Sequence, residues 1–231
     1  MFTQADVLHP GLIHDLGLTC DEADSINRQQ GLHCARCSSN LRSCALAKPF
    51  MSFFAHVGTL ESFVKKESQP NITLLELNEA GSLTAYLRQL PNYTFGSYPS
   101  VDMMALPYPD NTFDAVIHSD SLEHIADPLL ALSECFRVLK PQGACLYTIP
   151  VIVGRLTRRR AGLPKSHHGN YEAAQEDYIV HTEFGADFWT LPVKAGFSHT
   201  GIDVYLPKVD GPMHSDCFRL HFLEASHDGA F

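Results

Sequence analysis

The chain has 231 residues, of which 45% are hydrophobic and 19% charged, with a formal net charge of −9 at pH 7. This length and balance are typical of a soluble globular domain with a small appendage. The acidic charge argues against nucleic acid as a partner, because phosphate binding needs clustered cations. No apolar run approaches the roughly 18 residues of a membrane span, and no secretory signal is visible, so we expect no membrane partner and a cytoplasmic location.

The first 68 residues are predicted to form a helical section of their own. Residues 21–30 read DEADSINRQQ, a helical pattern that ends at Gly31. Asn40 is a suitable N-cap for a second helix, which we expect Pro49 to interrupt and Gly58 to end. The predicted division is therefore an N-terminal section at 1–68 and a larger domain at 69–231.

Seven cysteines are spread along the chain. An odd number without a secretory signal indicates reduced thiols. A C-x-x-C knuckle lies in the N-terminal section, and four thiolates can bind Zn²⁺ tetrahedrally, which predicts a structural zinc site at Cys20, Cys34, Cys37 and Cys44. Reduced thiols that pack in the core are the alternative, and core packing is what we expect of Cys135 and Cys145.

Residues 69–231 alternate strand and helix patterns, as in an α/β fold whose mostly parallel sheet has helices on both faces. In chain order we predict a strand at 72–77, a helix at 81–90, strands at 93–97 and 113–118, a helix at 121–139, a strand at 144–149, a helix at 184–195 and closing strands at 200–206 and 216–225. The twenty or so residues from 81 to 102 are too few for a full strand–helix–strand unit. Residues 150–183 form an insertion, and such insertions often line active sites.

An ordered series of motifs follows Asp102. It comprises LPYPD at 106–110, FD at 113–114, LEH at 122–124 and RVLKPQG at 137–143. In order and spacing these motifs resemble those of class I S-adenosylmethionine (SAM)-dependent methyltransferases of type 11. The C-x-x-C knuckle and the run HTEFGADFW at 181–189 are similar to a variant group with a degenerate glycine-rich motif. The resemblance implies a Rossmann-like fold with a shortened first half, an enzyme, and SAM as its cofactor.

The resemblance also implies a cofactor site at the strand ends. Asp102 would accept a hydrogen bond from the adenine amine, with turn formation as the alternative, and Met103 would contact the purine. His118 and Ser119 would lie beside the methionine part. The first loop, ELNEAGSLT at 76–84, keeps one glycine of the expected motif, and it adds the candidates Glu76, Asn78, Glu79 and Gly81.

Two interpretations of this loop remain open. The family holds the ribose hydroxyls with an acid at the end of the second strand, and here that strand, YTFGSYPS, has none. In the first interpretation Asn78 or Glu79 takes over the ribose contact and SAM still binds. In the second the SAM site is lost, and the fold serves binding or another reaction.

The catalytic candidates are His118, His181 and Glu183, because imidazole and carboxylate groups can remove a proton from a methyl acceptor. For substrate binding we predict Asp120, His167, His168 and Trp189. The same residue types could bind a metal through two histidines and one carboxylate. The alternative is that these polar side chains only form hydrogen bonds with one another across a long loop and have no catalytic or binding role.

The predicted function is SAM-dependent methyl transfer to a small polar metabolite, such as a sugar or a secondary-metabolism intermediate. One alternative is a non-methyltransferase enzyme on the same fold, metal-assisted through the His-rich insertion. Another is a non-catalytic binding protein. The sequence does not indicate which oligomeric state the protein adopts.

Overall fold

The computed structural model describes residues 2–35, 37–65, 71–166, 178–204 and 221–226. The predicted substrate residues His167 and His168, and the predicted domain boundary at 68/69, lie outside these ranges. The helices are α1 (Pro10–Leu16), α2 (Cys20–Gly31), α3 (Leu41–Phe53), α4 (Leu60–Val64), α5 (Thr84–Leu87), α6 (Pro128–Val138) and α7 (Thr190–Lys194). The strands are β1 (Phe2–Gln4), β2 (Leu32–Cys34), β3 (Thr73–Leu77), β4 (Asn92–Gly96), β5 (Phe113–Ser119), β6 (Leu139–Thr148), β7 (Val151–Ile152), β8 (Arg158–Arg159), β9 (Thr182–Gly185), β10 (His199–Val204) and β11 (His221–Ser226).

The central sheet has six strands in the order β10-β11-β6-β5-β3-β4. Strands β4, β3, β5 and β6 run parallel to their neighbours, and β11 is antiparallel to both β6 and β10. In the parallel part Leu75 pairs with Val116, and Val116 pairs with Cys145. The predicted α/β Rossmann-like fold is therefore confirmed.

Alternate residues of the strands pack against helices on opposite faces. On one face Leu75, Val116 and Tyr147 share a core with α6. On the other face Leu74, Ile117 and Leu146 share a core with residues of α3, α4 and α5. The N-terminal section therefore supplies one helical layer of the sheet, and the predicted pair of covered faces is present.

The short crossover between β3 and β4 corrects one expectation. A 3₁₀ turn (Gly81–Leu83) followed by the single turn of α5 returns the chain to the start of β4, which pairs in parallel with β3. Leu83 and Leu87 bury their side chains under the sheet during this passage. The residues between β3 and β4 are therefore enough for a strand–helix–strand unit, contrary to the prediction.

Three predicted helix boundaries were also wrong. Helix α3 continues through Pro49 to Phe53, since burial of its apolar face against the sheet outweighs one lost backbone hydrogen bond. The helix expected at 121–139 begins only at Pro128, where the Asp127 carboxylate caps the backbone N–H groups of Leu129 and Leu130 at 3.1 Å. Residues 182–185, partly expected as helix, form β9.

The described residues of the insertion contribute to a small sheet with the strand order β7-β9-β8. Arg155 of this insertion joins it to the N-terminal section. Its Nε and Nη2 donate to the two carboxylate oxygens of Glu22 at 2.8 and 2.6 Å, and its Nη1 donates to the Leu16 carbonyl at 3.0 Å. The guanidinium holds the pKa of Glu22 low, at about 2. Among the described helices, none is long and apolar enough to cross a membrane.

Candidate active site

A first cavity, of about 650 Å³, opens at the carboxyl ends of β3 and β5. The chain passes from β3 to β4 on one side and later places β5 on the other, which makes this gap the point where the strand order reverses. Ligands of open α/β sheets bind at such points. The predicted residues that line it are Asn78, Glu79, Asp102, Met103, Ser119, Asp120 and His181.

Glu76, at the end of β3, is fully buried and does not line this cavity. Its Oε1 accepts hydrogen bonds from the Ala80 N–H at 2.8 Å and from the Thr84 hydroxyl, and its Oε2 accepts one from the Tyr93 hydroxyl at 2.7 Å. Burial, and then this bond to Glu76, raise the pKa of Tyr93. The Glu76 carboxylate is therefore used to fold the loop that follows, and the structure does not bring it to the predicted cofactor site.

The loop after β3 places Asn78 at the cavity wall with a left-handed backbone, φ 57°. The Asn78 side chain accepts from the Tyr98 N–H at 3.2 Å and donates to the Ser121 hydroxyl at 3.3 Å. Gly81 does not line the cavity. It has φ 62°, and a Cβ there would lie 2.6 Å from the Ser43 Oγ of α3. Gly81 is therefore required for close contact with α3, and its predicted cofactor contact is not supported.

The loop from β4 to β5 brings Asp102 and Met103 to the opposite wall. Asp102 is half-buried, and its Oδ1 accepts from the Met104 N–H at 2.8 Å, which fixes the carboxylate in a turn facing the cavity. Met103 is buried and adds an apolar surface. A fixed carboxylate beside an apolar wall is suited to an amine-bearing aromatic ring.

Arg42, which the sequence did not indicate as a site residue, lies between the walls. It extends from α3 and forms an ion pair with Oδ2 of Asp120, whose Oδ1 accepts from the Thr148 hydroxyl at 2.8 Å. The Arg42 Nε is buried and has no hydrogen-bond partner among the described residues. The pair joins residues 78 positions apart, so no local motif could have revealed it.

His118 lies in the core, and the structure does not bring it to either cavity, so it does not support the predicted catalytic and cofactor roles. Its ring is fully buried and stacks on Tyr147, with ring centroids 4.8 Å apart. Burial lowers the pKa of His118 to about 3, so the ring is neutral at physiological pH. Trp189 is 47% exposed and lines neither this cavity nor the next, so the structure does not bring it to the predicted substrate site.

A second cavity, of about 500 Å³, adjoins the first. The two share four lining residues, namely Arg42, Asp120, His124 and Tyr178. His181 faces the first cavity and Glu183 the second. The Glu183 carboxylate binds Arg158 Nη2 at 2.7 Å and also Arg160, so it is already neutralised by two guanidinium groups. A carboxylate that is paired with two guanidinium groups is a poor proton acceptor, so the structure does not support the predicted role of Glu183 as a base.

The four cysteines of the predicted zinc site do not converge. Burial, then the neighbouring Cys37 and Cys34, raise the pKa of the Cys44 thiol to about 11, while Cys20 lies exposed at the start of α2. Within the described ranges, the group of potential ligands whose atoms lie within 4.8 Å of one another is His118, Cys135 and Cys145, all buried. The structure therefore does not support zinc at the knuckle, whereas Cys135 and Cys145 are core residues as predicted.

The chain is similar to known methyltransferases over part of its length. Residues 67–147 match the family model described as "Methyltransferase domain". A protein of Mycolicibacterium smegmatis named "Probable S-adenosylmethionine-dependent methyltransferase" is 33% identical over 90 residues, which are 37% of this chain and 35% of that protein. The ubiquinone/menaquinone biosynthesis C-methyltransferase of Pasteurella multocida is 50% identical over 50 residues, or 22% of this chain and 19% of that protein.

The aligned segment is thus about a fifth to a third of the length of these two relatives. Among solved structures, a SAM-dependent methyltransferase of Methanosarcina mazei aligns with 69% of this chain and 94% of its own, at 14% identity and a TM-score of 0.41. The matched segment contains β3, β5 and α6, and it also contains the loop after β3 and the Asp102 turn, which line the first cavity. Residues 67–147 are therefore similar to the methyltransferase domains of known SAM-dependent methyltransferases.

Proposed function

We propose that the protein binds SAM in the first cavity and transfers its methyl group to a small molecule. The observation that carries this proposal is the meeting of two separate parts of the family match at one cavity. The loop after β3 supplies Asn78 and Glu79, and the turn before β5 supplies Asp102 and Met103. Both lie where the order of the strands reverses, which is where α/β sheets bind ligands.

The polar groups of the cavity suit the two ends of SAM. At one end Asp102 offers a fixed acceptor and Met103 an apolar surface, as an adenine ring requires. At the other end Arg42 and Asp120 offer one positive and one negative group, which complement the carboxylate and the ammonium of the methionine part. The unpartnered Nε of Arg42 leaves a donor for that carboxylate. Asn78 or Glu79 would contact the ribose, as the first interpretation of the loop expects.

Bound SAM supplies a methyl group activated by its attachment to a sulfonium. The chain's own contribution is to hold the acceptor in line with that methyl and to exclude water, which can provide most of the rate enhancement. The cavities meet at Arg42, Asp120, His124 and Tyr178, so the acceptor would enter from the second cavity. The sequence predicted a small polar metabolite as acceptor, and the relative from Pasteurella multocida is a C-methyltransferase.

Replacement of Asp102 tests the adenine end of this site. We expect Asp102→Ala to weaken the binding of S-adenosylhomocysteine (SAH), the demethylated product, by about tenfold, since one hydrogen bond to a charged group contributes about 1.5 kcal/mol. Isothermal titration calorimetry measures the change. Asp110→Ala is the matched control, because Asp110 is exposed and outside the first cavity. Unchanged SAH affinity in Asp102→Ala would contradict the adenine assignment.

A further inference from the structure

The second cavity is walled mainly by apolar side chains. Val7, Leu8, Leu12 and Leu16 of the N-terminal section lie on one side, and Ile152 and Phe184 of the insertion lie on the other. The Arg155–Glu22 ion pair holds these two sides together. A cavity of about 500 Å³ with such walls suits the apolar body of a small molecule, not a sugar.

One carboxyl group in this cavity, that of Glu123, stands apart from the others. Glu123 is 1% exposed, and neither of its carboxyl oxygens accepts a hydrogen bond from another described residue. The Nε2 atom of His124 lies 3.7 Å from its Oε1, and burial lowers the pKa of that imidazole. Asp120 and Glu183, the other acids of the cavity, are each paired with arginine. Burial, and then the nearby Asp120 carboxylate, raise the pKa of Glu123 well above its usual range.

The Glu123 carboxyl distinguishes between classes of ligand. A buried carboxyl without a hydrogen bond is costly, so a ligand that donates a hydrogen bond to it gains affinity. A cationic amine would have to be stripped of water to enter apolar surroundings, which is unfavourable. A neutral hydroxyl enters at a much lower desolvation cost and still donates. Since the cavities meet at Asp120 and His124, a hydroxyl beside Glu123 lies near the entrance to the first cavity.

We propose that the second cavity binds a methyl acceptor with an apolar body and a phenol-like hydroxyl, and that Glu123 accepts the proton of that hydroxyl. The transfer step rests on the function proposed above. The hydroxyl oxygen forms a bond to the methyl carbon, the carbon–sulfur bond of SAM breaks, and its electron pair remains on sulfur. The proton passes to the Glu123 carboxylate and then to solvent. The products are a methyl ether and SAH.

Binding of 4-pentylphenol, compared with its methyl ether 4-pentylanisole, tests the ligand class. Titrations are carried out by calorimetry with and without saturating SAH, at several pH values between about 5.5 and 8.5. We expect the phenol to bind about tenfold more tightly than the ether, because the ether donates no hydrogen bond. We expect its affinity to rise about tenfold with pH in the wild type, because a carboxylate accepts more strongly than a carboxylic acid. In Glu123→Gln, which nearly preserves the shape of the side chain, the affinity should not change with pH.

The same variant separates Glu123 from the other ionisable groups of the cavity. Asp120, Glu183, His124, His33, Tyr178 and Arg42 all remain in Glu123→Gln, so a pH dependence that persists there belongs to one of them. Val7→Trp at the cavity wall should weaken phenol binding at least tenfold. Val57→Trp, a replacement of a residue that is 98% exposed and lines neither cavity, should not.

Formation of 4-pentylanisole from SAM and the phenol, followed by mass spectrometry, tests the proton transfer. Loss of a general base should slow it by about 100-fold or more in Glu123→Gln. Equal binding of phenol and ether, an equal pH dependence in the variant, or binding without ether formation by the wild type would overturn the proposal. Failure of SAH to bind would instead contradict the proposed function, and the phenol titrations without SAH would still decide the ligand class.

Discussion

Glu76→Ala is expected to lower the free energy of unfolding by about 3 kcal/mol or more. The substitution removes the acceptor of the buried Ala80 N–H and Thr84 hydroxyl and of the partly buried Tyr93 hydroxyl. Each buried donor without an acceptor costs about 1–3 kcal/mol, and the lost side chain also leaves a void. For a protein of this size the midpoint of thermal unfolding should fall by roughly 10 °C.

Glu79→Ala is the matched control for this experiment. Glu79 is the next acid in the same loop, but it is exposed, so its removal should change stability by about 0.5 kcal/mol at most. Thermal unfolding followed by circular dichroism compares the two variants with the wild type. A Glu76→Ala variant as stable as Glu79→Ala would show that Glu76 does not organise the loop.

Arg42→Ala is expected to weaken SAH binding by about tenfold to a hundredfold. SAH retains the amino-acid end of SAM, and Arg42 lines the first cavity, where the proposed function places that end. A hydrogen bond between charged groups contributes about 1.5–3 kcal/mol, which corresponds to that range of affinity. Arg42→Lys should recover part of the loss, since it keeps the charge but not the planar donor pair.

Two further variants separate a lost contact from a disturbed fold. Arg42→Ala leaves the Asp120 carboxylate without its cation, and the double variant Arg42→Ala/Asp120→Asn removes that unpaired charge. Arg88→Ala serves as the control, because Arg88 lies outside both cavities. If the stability of the double variant is restored and its affinity for SAH equals that of the wild type, Arg42 has no role in binding.

The parallel sheet could be predicted from the sequence because each strand is a short apolar run with its own boundaries. Leu74, Leu75 and Leu77 of β3 and Val116 and Ile117 of β5 are buried on both faces, as such runs predict. The crossover between β3 and β4 could not be predicted, because it is too short for the full helix that usually connects parallel strands. One 3₁₀ turn and one α-helical turn are enough when their leucines are buried under the sheet.

The misplacement of His118 has a simple geometric reason. Side chains alternate along a strand, so His118 shares the face of Val116, which packs under α6. The sequence predicts a strand that ends at His118, which would place the His118 ring at the edge of the sheet. Because β5 continues to Ser119, the ring remains in the core and the polar edge begins one residue later.

The contribution of the N-terminal section to the site could not be predicted from local patterns. Asn40 as an N-cap correctly placed the start of α3, and its side chain accepts from the Ser43 N–H at 2.9 Å. That Arg42 would then reach Asp120 depends on how α3 packs across the sheet, which is a long-range property. Likewise, Glu123 is part of a recognisable motif, but the lack of a hydrogen bond to its carboxyl group from the described residues is visible only in three dimensions.

A crystal structure of the full chain with SAH tests the central claim most directly. We predict SAH in the first cavity, with its adenine amine within hydrogen-bond distance of Asp102 and its carboxylate beside Arg42. Electron density for SAH elsewhere on the chain, or an unchanged first cavity at millimolar SAH, would contradict the account.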